Sequence, residues 1–133
     1  MNYAKIQRNL RVRKSKTGLG LFTQSPLKRG DFVIEYTGKL LSREKADDKG
    51  GRYLFDISNR RAVDGTNRKN VARYINHACR PNCEVDIRRG RIFVFACRKI
   101  KVGEELNYDY GKEYWDEYIK PRGCLCEKCQ DSQ

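Results

Sequence analysis

With 133 residues, of which 38% are hydrophobic, the chain is long enough for one domain with a modest core and too short for several. Its 29 Lys and Arg residues against 17 Asp and Glu residues give a net charge of +12, which favours an acidic partner, although a purely solubilising surface would have the same composition. No apolar run reaches the length of a signal-peptide core or the roughly 20 residues of a membrane helix, so we expect a soluble, intracellular protein without membrane contact.

Short apolar runs separated by Gly, Asn and Asp predict a β-rich domain, not the alternating strands and helices of a nucleotide-binding sheet. A first strand begins at Leu10, and a second run follows a bend at Gly18 and Gly20. The next predicted strands are "FVIEY" and "RYLFDI", and "AVDG" can pair with the latter. Between them, Ser42 is placed to cap a short helix that ends at Gly50.

The second half of the chain contains the clearest hairpin. Val85 and Ile87 alternate with polar residues, "RRG" forms the turn, and "RIFVFAC" returns. Before it, "NVARYINH" predicts a helical turn, because Val71 and Ile75 are four residues apart. After it, "KVGEEL" is a turn and "ELNYDY" leads into a tail rich in aromatic residues and cysteines.

The tail segment "GCLCEKC" has the spacing of a tetrahedral zinc site. Six cysteines in an intracellular protein are expected to be reduced or metal-bound. The three in the tail leave a structural site one ligand short, so the fourth must come from elsewhere, and the candidates are Cys79, Cys83, Cys97 and His77. Cys97 lies on the alternating strand "IFVFAC", where we expect a small core residue, whereas Cys79 and Cys83 lie in the irregular stretch "YINHACRPNC". We therefore expect that stretch to lend a sulfur to the tail, with the metal holding a lid and not performing chemistry.

Two further features allow either a structural or a functional interpretation. The Gly18-x-Gly20 pair forms a tight turn, or it lets a ligand approach the backbone closely. Tyr108 and Tyr110 would face the same way on a strand, either as half-buried aromatics or as paired hydroxyls. The single histidine has no evident nucleophile partner, so the sequence does not indicate a hydrolytic triad.

Together, the segments "GLGLF", "RYINHACRPN" and "GEELNYDYG" resemble the SET domain of protein-lysine methyltransferases. "EYTGK" also matches that family, and "CLCEKC" resembles the cysteine cluster that follows many SET domains. The resemblance covers the chain from about Leu10 to Cys129. It implies a SET domain over residues 1–111 and a post-SET-like zinc-binding tail over 112–133. The implied fold is mainly β, with several small sheets, few short helices and a threaded C-terminal segment in which "RYINHAC" and "ELNYDYG" cross.

The resemblance also implies the roles of individual residues. S-adenosylmethionine would bind on one face, and a lysine would enter a channel from the other. Tyr110 would be the catalytic tyrosine, with Tyr108 and Tyr36 lining the channel. His77 would bind the cofactor and not act as a base. The implied cofactor-binding residues are Lys16, Gly18, Leu19, Gly20, Tyr74, Asn76, His77 and Trp115, and the implied ligands of a structural Zn²⁺ are Cys79, Cys124, Cys126 and Cys129.

The implied function is S-adenosylmethionine-dependent methylation of a lysine in a histone tail or another chromatin protein. A tyrosine at position 108 favours mono- or dimethylation. Segment 39–67 would shape the peptide groove. The expected location is the nucleus or chromatin in a eukaryotic setting, and otherwise the cytoplasm. The alternative function is a basic, zinc-stapled module that binds nucleic acid, and a DNA or nucleosome contact is compatible with either function because of the +12 charge.

Overall fold

The computed structural model describes residues 9–16, 18–51 and 53–111. Short strands are the predominant secondary structure of this part of the chain, which confirms the predicted mainly-β fold. In chain order the elements are β1 (Leu10–Ser15), β2 (Gly18–Thr23), β3 (Phe32–Tyr36), β4 (Lys39–Ser42), α1 (Arg43–Lys49), β5 (Leu54–Asp56), β6 (Arg61–Asp64), a 3-10 helix (Val71–Tyr74), β7 (Asn76–His77), β8 (Cys83–Arg88), β9 (Arg91–Ala96) and β10 (Asn107–Tyr108).

The strands form four small sheets within the described residues. β1 and β2 make an antiparallel hairpin, β4, β6 and β5 form one three-stranded sheet in that order, and β3, β9 and β8 form another. The fourth is a parallel pair in which Asn76 lies opposite Asn107 and His77 opposite Tyr108. This pair brings together the two segments that were expected to cross, and we call the parallel pair of β7 and β10 the crossing.

Local sequence signals account for the helix and the central hairpin. The hydroxyl of Ser42 accepts a hydrogen bond from the N–H of Lys45 at 3.3 Å, and α1 ends at Gly50, whose φ is +59°. In the β8–β9 hairpin, Arg89 and Gly90 both have positive φ, the conformation of a two-residue turn that matches the twist of its strands. Both elements are found where they were predicted.

The glycine pair near the N-terminus differs from its prediction. Gly18 and Gly20 lie within β2, opposite Ser15 and Arg13, instead of in a bend that precedes the strand. The ladder extends to the Ser15–Gly18 pair, so the reversal of the chain falls between these two residues. Cys97 likewise follows β9 instead of lying on it, because the strand ends at Ala96.

The main core lies between the sheets and reaches the crossing segments. Its largest fully buried side chains include Leu21, Ile34, Ile75, Ile92 and Leu106. Ile75 precedes β7 and Leu106 precedes β10, so apolar burial anchors both strands of the parallel pair. A smaller cluster packs α1 onto β4 and β6.

None of the helices in the described ranges is long and apolar enough to cross a membrane. The predicted zinc-binding tail, with Trp115, Cys124, Cys126 and Cys129, lies outside the described residues.

Candidate functional site

A reciprocal pair of asparagines holds the two crossing segments together. The backbone N–H of Asn82 donates to the side-chain oxygen of Asn107 at 2.8 Å, and the backbone N–H of Asn107 donates to the side-chain oxygen of Asn82 at 2.9 Å. The side-chain amide of Asn82 also donates to the backbone oxygen of Glu105 at 2.8 Å. Because Asn82 is fully buried, these bonds satisfy polar groups that have no access to water.

Asn76, at the start of β7, connects the crossing to the β1–β2 hairpin. Its side-chain nitrogen donates to the backbone oxygen of Leu19 at 2.9 Å and to Oε2 of Glu105 at 2.7 Å. Oγ of Ser15 lies within reach of the same nitrogen, at 3.2 Å. This amide therefore fixes the position of β2 relative to the parallel pair.

The carboxylate of Glu105 occupies the space beside Gly20. A Cβ added to Gly20 would lie 2.3 Å from Oε2 of Glu105, which is far closer than atoms can approach. Gly20 is therefore required so that Glu105 can reach Asn76. This finding gives Gly20 a packing role, and its contact with a cofactor stays a prediction.

The other residues of this hairpin present an open face. Gly18 has a φ of +116°, and a Cβ added there would meet no atom within 4 Å. Leu19 is 50% exposed, and Lys16 is exposed in the turn before β2. The backbone at Gly18 is thus accessible to a ligand, as a cofactor-binding segment requires.

Both ring nitrogens of His77 contact other groups of the protein. Nδ1 accepts a hydrogen bond from the backbone N–H of Tyr110 at 3.0 Å, and Nε2 lies 3.5 Å from Sγ of Cys79. Burial lowers the pKa of His77, although the carboxylate of Asp109 opposes this effect. The ring is therefore neutral at pH 7, and because Nδ1 is an acceptor, the proton is on Nε2 and points towards Cys79.

Tyr108 and Tyr110 form the centre of an aromatic cluster. Their ring centroids are 4.8 Å apart, and the ring of Tyr110 lies 5.5 Å from that of His77. The hydroxyl of Tyr110 donates a hydrogen bond to the backbone oxygen of Ile75. Because its proton is used in this way, the phenolic oxygen keeps its lone pairs for accepting weak hydrogen bonds from a substrate.

Tyr36 joins this cluster through Phe55. The ring of Phe55 lies 5.4 Å from that of Tyr36 and 6.3 Å from that of Tyr108. The hydroxyl of Tyr36 donates to the backbone oxygen of Tyr53 at 2.8 Å, which fixes the ring. Such an aromatic wall attracts a cationic side chain. Phe55 has no role in the motifs of the sequence, and its only signal there is an aromatic residue on a short predicted strand.

Tyr74 contacts Arg73, whose guanidinium carbon lies 5.3 Å from the centre of the Tyr74 ring and 4.1 Å from that of Tyr53. Arg73 also donates to the backbone oxygen of Thr66. Its Nε is buried and has no hydrogen-bond partner among the described residues. The guanidinium of Arg73 thus packs against the rings of Tyr53 and Tyr74.

The cysteines of the described ranges have different surroundings. Cys79 is half-buried beside His77. Cys83 is fully buried, and burial, with a smaller effect from Cys97, raises the pKa of its thiol to about 12. Sγ of Cys97 lies 3.5 Å from the backbone oxygen of Pro81. No group of three or more metal-ligating side chains is found in residues 9–111 where the structure describes them.

The family model of the SET domain matches residues 18–111, which is more than half of the chain. This chain belongs to the SET domain family. The match includes β2, both crossing segments and every described residue of the predicted site except Lys16.

Curated relatives of this SET domain are histone-lysine N-methyltransferases by name. The chain is 42% identical over 125 residues to the trithorax histone-lysine N-methyltransferase of Drosophila virilis, covering 85% of this chain and 3% of the relative. It is 35% identical over 147 aligned positions to histone-lysine N-methyltransferase EHMT1 of Mus musculus, and the alignment covers 96% of this chain and 11% of that relative. It is 39% identical over 121 residues to the "Histone-lysine N-methyltransferase, H3 lysine-4 specific" of Schizosaccharomyces pombe, and the alignment covers 81% of this chain and 13% of that relative. The chain thus spans only a small part of each relative.

The site of this SET domain brings together most of the described residues predicted from sequence. Gly18, Leu19, Gly20, Asn76 and His77 surround the crossing, with Cys79, Tyr108 and Tyr110 beside it. Tyr36 reaches them through Phe55. Glu105 and Asn82 were not assigned roles from the sequence, although both stand inside the motifs that carried the resemblance.

Proposed function

We propose that the chain is an S-adenosylmethionine-dependent protein-lysine N-methyltransferase that acts on a lysine of a histone or another chromatin protein. The observation that carries this proposal is the parallel pairing of β7 with β10 in a SET domain. This pairing sets Tyr108 and Tyr110 beside Asn76 and His77, next to the open backbone of Gly18. The names of the relatives support the choice of a histone lysine as the methyl acceptor.

The cofactor would be held on the open face of the β1–β2 hairpin. When bound, S-adenosylmethionine supplies a methyl group activated by its sulfonium. Gly18 and Leu19 would offer backbone groups, and Lys16 and Tyr74 would flank them. The space above Gly18 fits a ligand at this position, because no atom of the described residues lies within 4 Å of where a Cβ would be. Trp115 would stack on the adenine, and it lies outside the described residues.

The aromatic cluster would receive the substrate lysine. Tyr36, Phe55 and Tyr108 offer ring faces that favour a cationic side chain over water. The lysine amine must lose its proton before it can attack, and its ordinary pKa is about 10.4. Burial in an apolar channel disfavours the charged ammonium and lowers that pKa. The chain then aligns the neutral amine and excludes water, which is the main help that an in-line transfer needs.

Tyr110 would orient the acceptor amine at the centre of the site. Its hydroxyl donates to the backbone oxygen of Ile75, so both oxygens lie next to each other at one point of the crossing. Electronegative oxygens in this position accept weak C–H hydrogen bonds from a methyl group that carries partial positive charge. The backbone N–H of the half-buried Tyr110 donates a hydrogen bond to Nδ1 of His77, which holds this residue in place.

We further propose that the tail over 112–133 closes this site through a structural zinc ion. Cys79 fits as the ligand from the SET domain because it is half-buried next to the crossing. Cys83 does not fit, because it is fully buried in the main core. His77 does not fit either, because both of its ring nitrogens already face protein atoms. The remaining ligands would be Cys124, Cys126 and Cys129, and the boundary between SET domain and tail would lie near residue 111.

A methylation assay with labelled S-adenosylmethionine, histones and zinc-loaded protein tests this function. Tyr110→Phe removes the hydroxyl and keeps the ring, so we expect label incorporation to fall by at least about tenfold, the usual scale for a lost positioning group. Tyr53→Phe is the matched control, because the contacts of Tyr53 with other described residues use its ring and backbone oxygen and not its hydroxyl. Equal incorporation by wild type and Tyr110→Phe would remove Tyr110 from the mechanism, and no incorporation by wild type into histones or other chromatin proteins would contradict the proposed function.

A further inference from the structure

Three lysines share one outward face beside the bridge that joins Leu27 to Ile100. Each of these two residues donates its N–H to the backbone oxygen of the other at 2.9 Å. Ile100 is fully buried, and Leu27 packs against the main core. Since side chains alternate along extended backbone, the flanking Lys28, Lys99 and Lys101 point away from the core, and all three are exposed. We call these three residues the lysine patch.

The patch lysines form no ion pair with their neighbours in the part of the chain that the structure describes. Next to the bridge, the antiparallel register sets Lys28 opposite Lys99, and like charges opposite each other destabilise a strand pair. A bound anion would remove this repulsion, whereas an empty patch leaves it in place.

The neighbouring side chains reinforce the charge. Arg29 is exposed next to Lys28, and Arg98 stands before Lys99. Two carboxylates lie close by: Asp31 accepts from the backbone N–H of Lys28 at 2.8 Å, and Glu104 pairs with Arg98 at 3.7 Å. Among the described residues around the bridge, five cations therefore accompany two carboxylates, and such a surface attracts a polyanion.

We propose that the lysine patch, with Arg29 beside it, binds the phosphate backbone of duplex DNA. Lys99 and Lys101 are two residues apart on extended backbone, which separates them by about 6.6 Å. The phosphates of one DNA strand recur about every 3.4 Å along the helix axis, so a strand lying against the patch brings a phosphate within reach of each flexible lysine side chain. Lys28, across the bridge, adds a third contact.

The lysine patch lies on the same two segments that, a few residues away, contribute to the candidate site. The same two segments pair at Phe22 with Glu105, and at Thr23 with Glu104, before they reach the bridge. Glu105 is five positions after Ile100, a span of at most about 18 Å. DNA held at the patch would therefore pass close to the β1–β2 hairpin. DNA binding by the patch does not depend on the proposed methyl transfer.

Fluorescence anisotropy with a labelled DNA duplex tests the proposal, with the full chain as the protein. The triple variant Lys28→Gln/Lys99→Gln/Lys101→Gln removes the patch. The control Lys39→Gln/Lys45→Gln/Lys69→Gln removes the same charge from exposed lysines elsewhere. At about 0.1 M salt we expect the patch variant to bind about tenfold or more weakly, and the slope of log affinity against log salt to fall by about 2 to 3. The control variant should stay within about twofold of wild type.

The comparison of the two triple variants distinguishes DNA binding at the lysine patch from DNA binding that follows net charge alone. Equal loss in the two triple variants would overturn the proposal, because binding would then follow net charge alone. It would also be overturned if wild type bound no duplex, or bound single-stranded RNA of the same length more tightly. A second readout is methylation of a free lysine peptide, which the patch variant should leave unchanged while it slows methylation of a nucleosome. If wild type methylates neither substrate, the proposed function fails while the anisotropy result still decides the DNA contact.

Discussion

The backbone N–H of Tyr110 donates a hydrogen bond to Nδ1 of His77, and the two nitrogen atoms are 3.0 Å apart. The other nitrogen of the same ring lies 3.5 Å from Sγ of Cys79. One imidazole thus connects the segment that contains the proposed catalytic tyrosine to the sulfur proposed as a zinc ligand. The histidine is a structural link between β7 and the end of β10, and its neutral form is the one that can accept from Tyr110.

Replacement of His77 should therefore affect folding and methyl transfer together. His77→Ala leaves the Tyr110 N–H without its acceptor, so we expect the free energy of unfolding to fall by about 1 to 3 kcal/mol and kcat to fall as well. His77→Asn places an amide oxygen near the position of Nδ1 and should recover much of both. Urea unfolding and label incorporation measure the two effects. If Asn and Ala behaved alike, the acceptor role of Nδ1 would be wrong.

Much of the fold could be predicted from sequence because several of its signals are local. Ser42 and Gly50 bound α1, and Gly90 marks the β8–β9 turn, through conformational preferences that act within a few residues. The three segments that resemble a SET domain identified the crossing, because each carries several polar and aromatic residues in a fixed order.

Other features could not be predicted because they depend on residues that are distant in sequence. The place of Gly20 in β2 depends on the carboxylate of Glu105, which has no sequence signal of its own. Phe55 becomes part of the aromatic wall only when β5 pairs with β6 and approaches Tyr108. The pairing of β3 with β9 likewise joins segments far apart along the chain.

Tyr108 should limit the number of methyl groups transferred. It is buried, and its ring contacts that of Tyr110 at a centroid distance of 4.8 Å, so there is little room for a larger amine beside it. Tyr108→Phe removes one hydroxyl and any water that it holds. We expect wild type to make mono- and dimethyl-lysine and the variant to shift the product towards trimethyl-lysine, as measured by mass spectrometry of a peptide substrate. Trimethyl-lysine as the main product of wild type would contradict this prediction.

Asp64 should make folding stability depend on pH in the acidic range. Burial opposes its ionisation, but the Lys49 ammonium and two hydrogen bonds from Thr66 outweigh this and hold its pKa below the ordinary value of 3.8. The resulting stabilisation is complete above pH 3.8 and is lost as pH falls through the lower pKa of the folded state. Asp64→Asn should therefore be less stable at pH 7 and should lose less stability than wild type between pH 5 and 2.

Urea unfolding at a series of pH values measures this difference. Asp47→Asn, at an exposed position of α1, is the matched control. Parallel stability curves for wild type and Asp64→Asn below pH 4 would show that Asp64 does not contribute.

Gly20 and Glu105 should be energetically coupled, because a methyl group at position 20 would displace the carboxylate that accepts from Asn76. Gly20→Ala alone should lower the free energy of unfolding by about 1 to 3 kcal/mol, the usual cost of overpacking, and should weaken cofactor binding by moving β2. In a Glu105→Ala background the space is already empty, so the same glycine substitution should cost much less. A double-mutant cycle by urea unfolding should give a coupling energy of about 0.5 to 3 kcal/mol. Additive effects would mean that glycine is needed at position 20 for its backbone conformation and not for the space that Glu105 occupies.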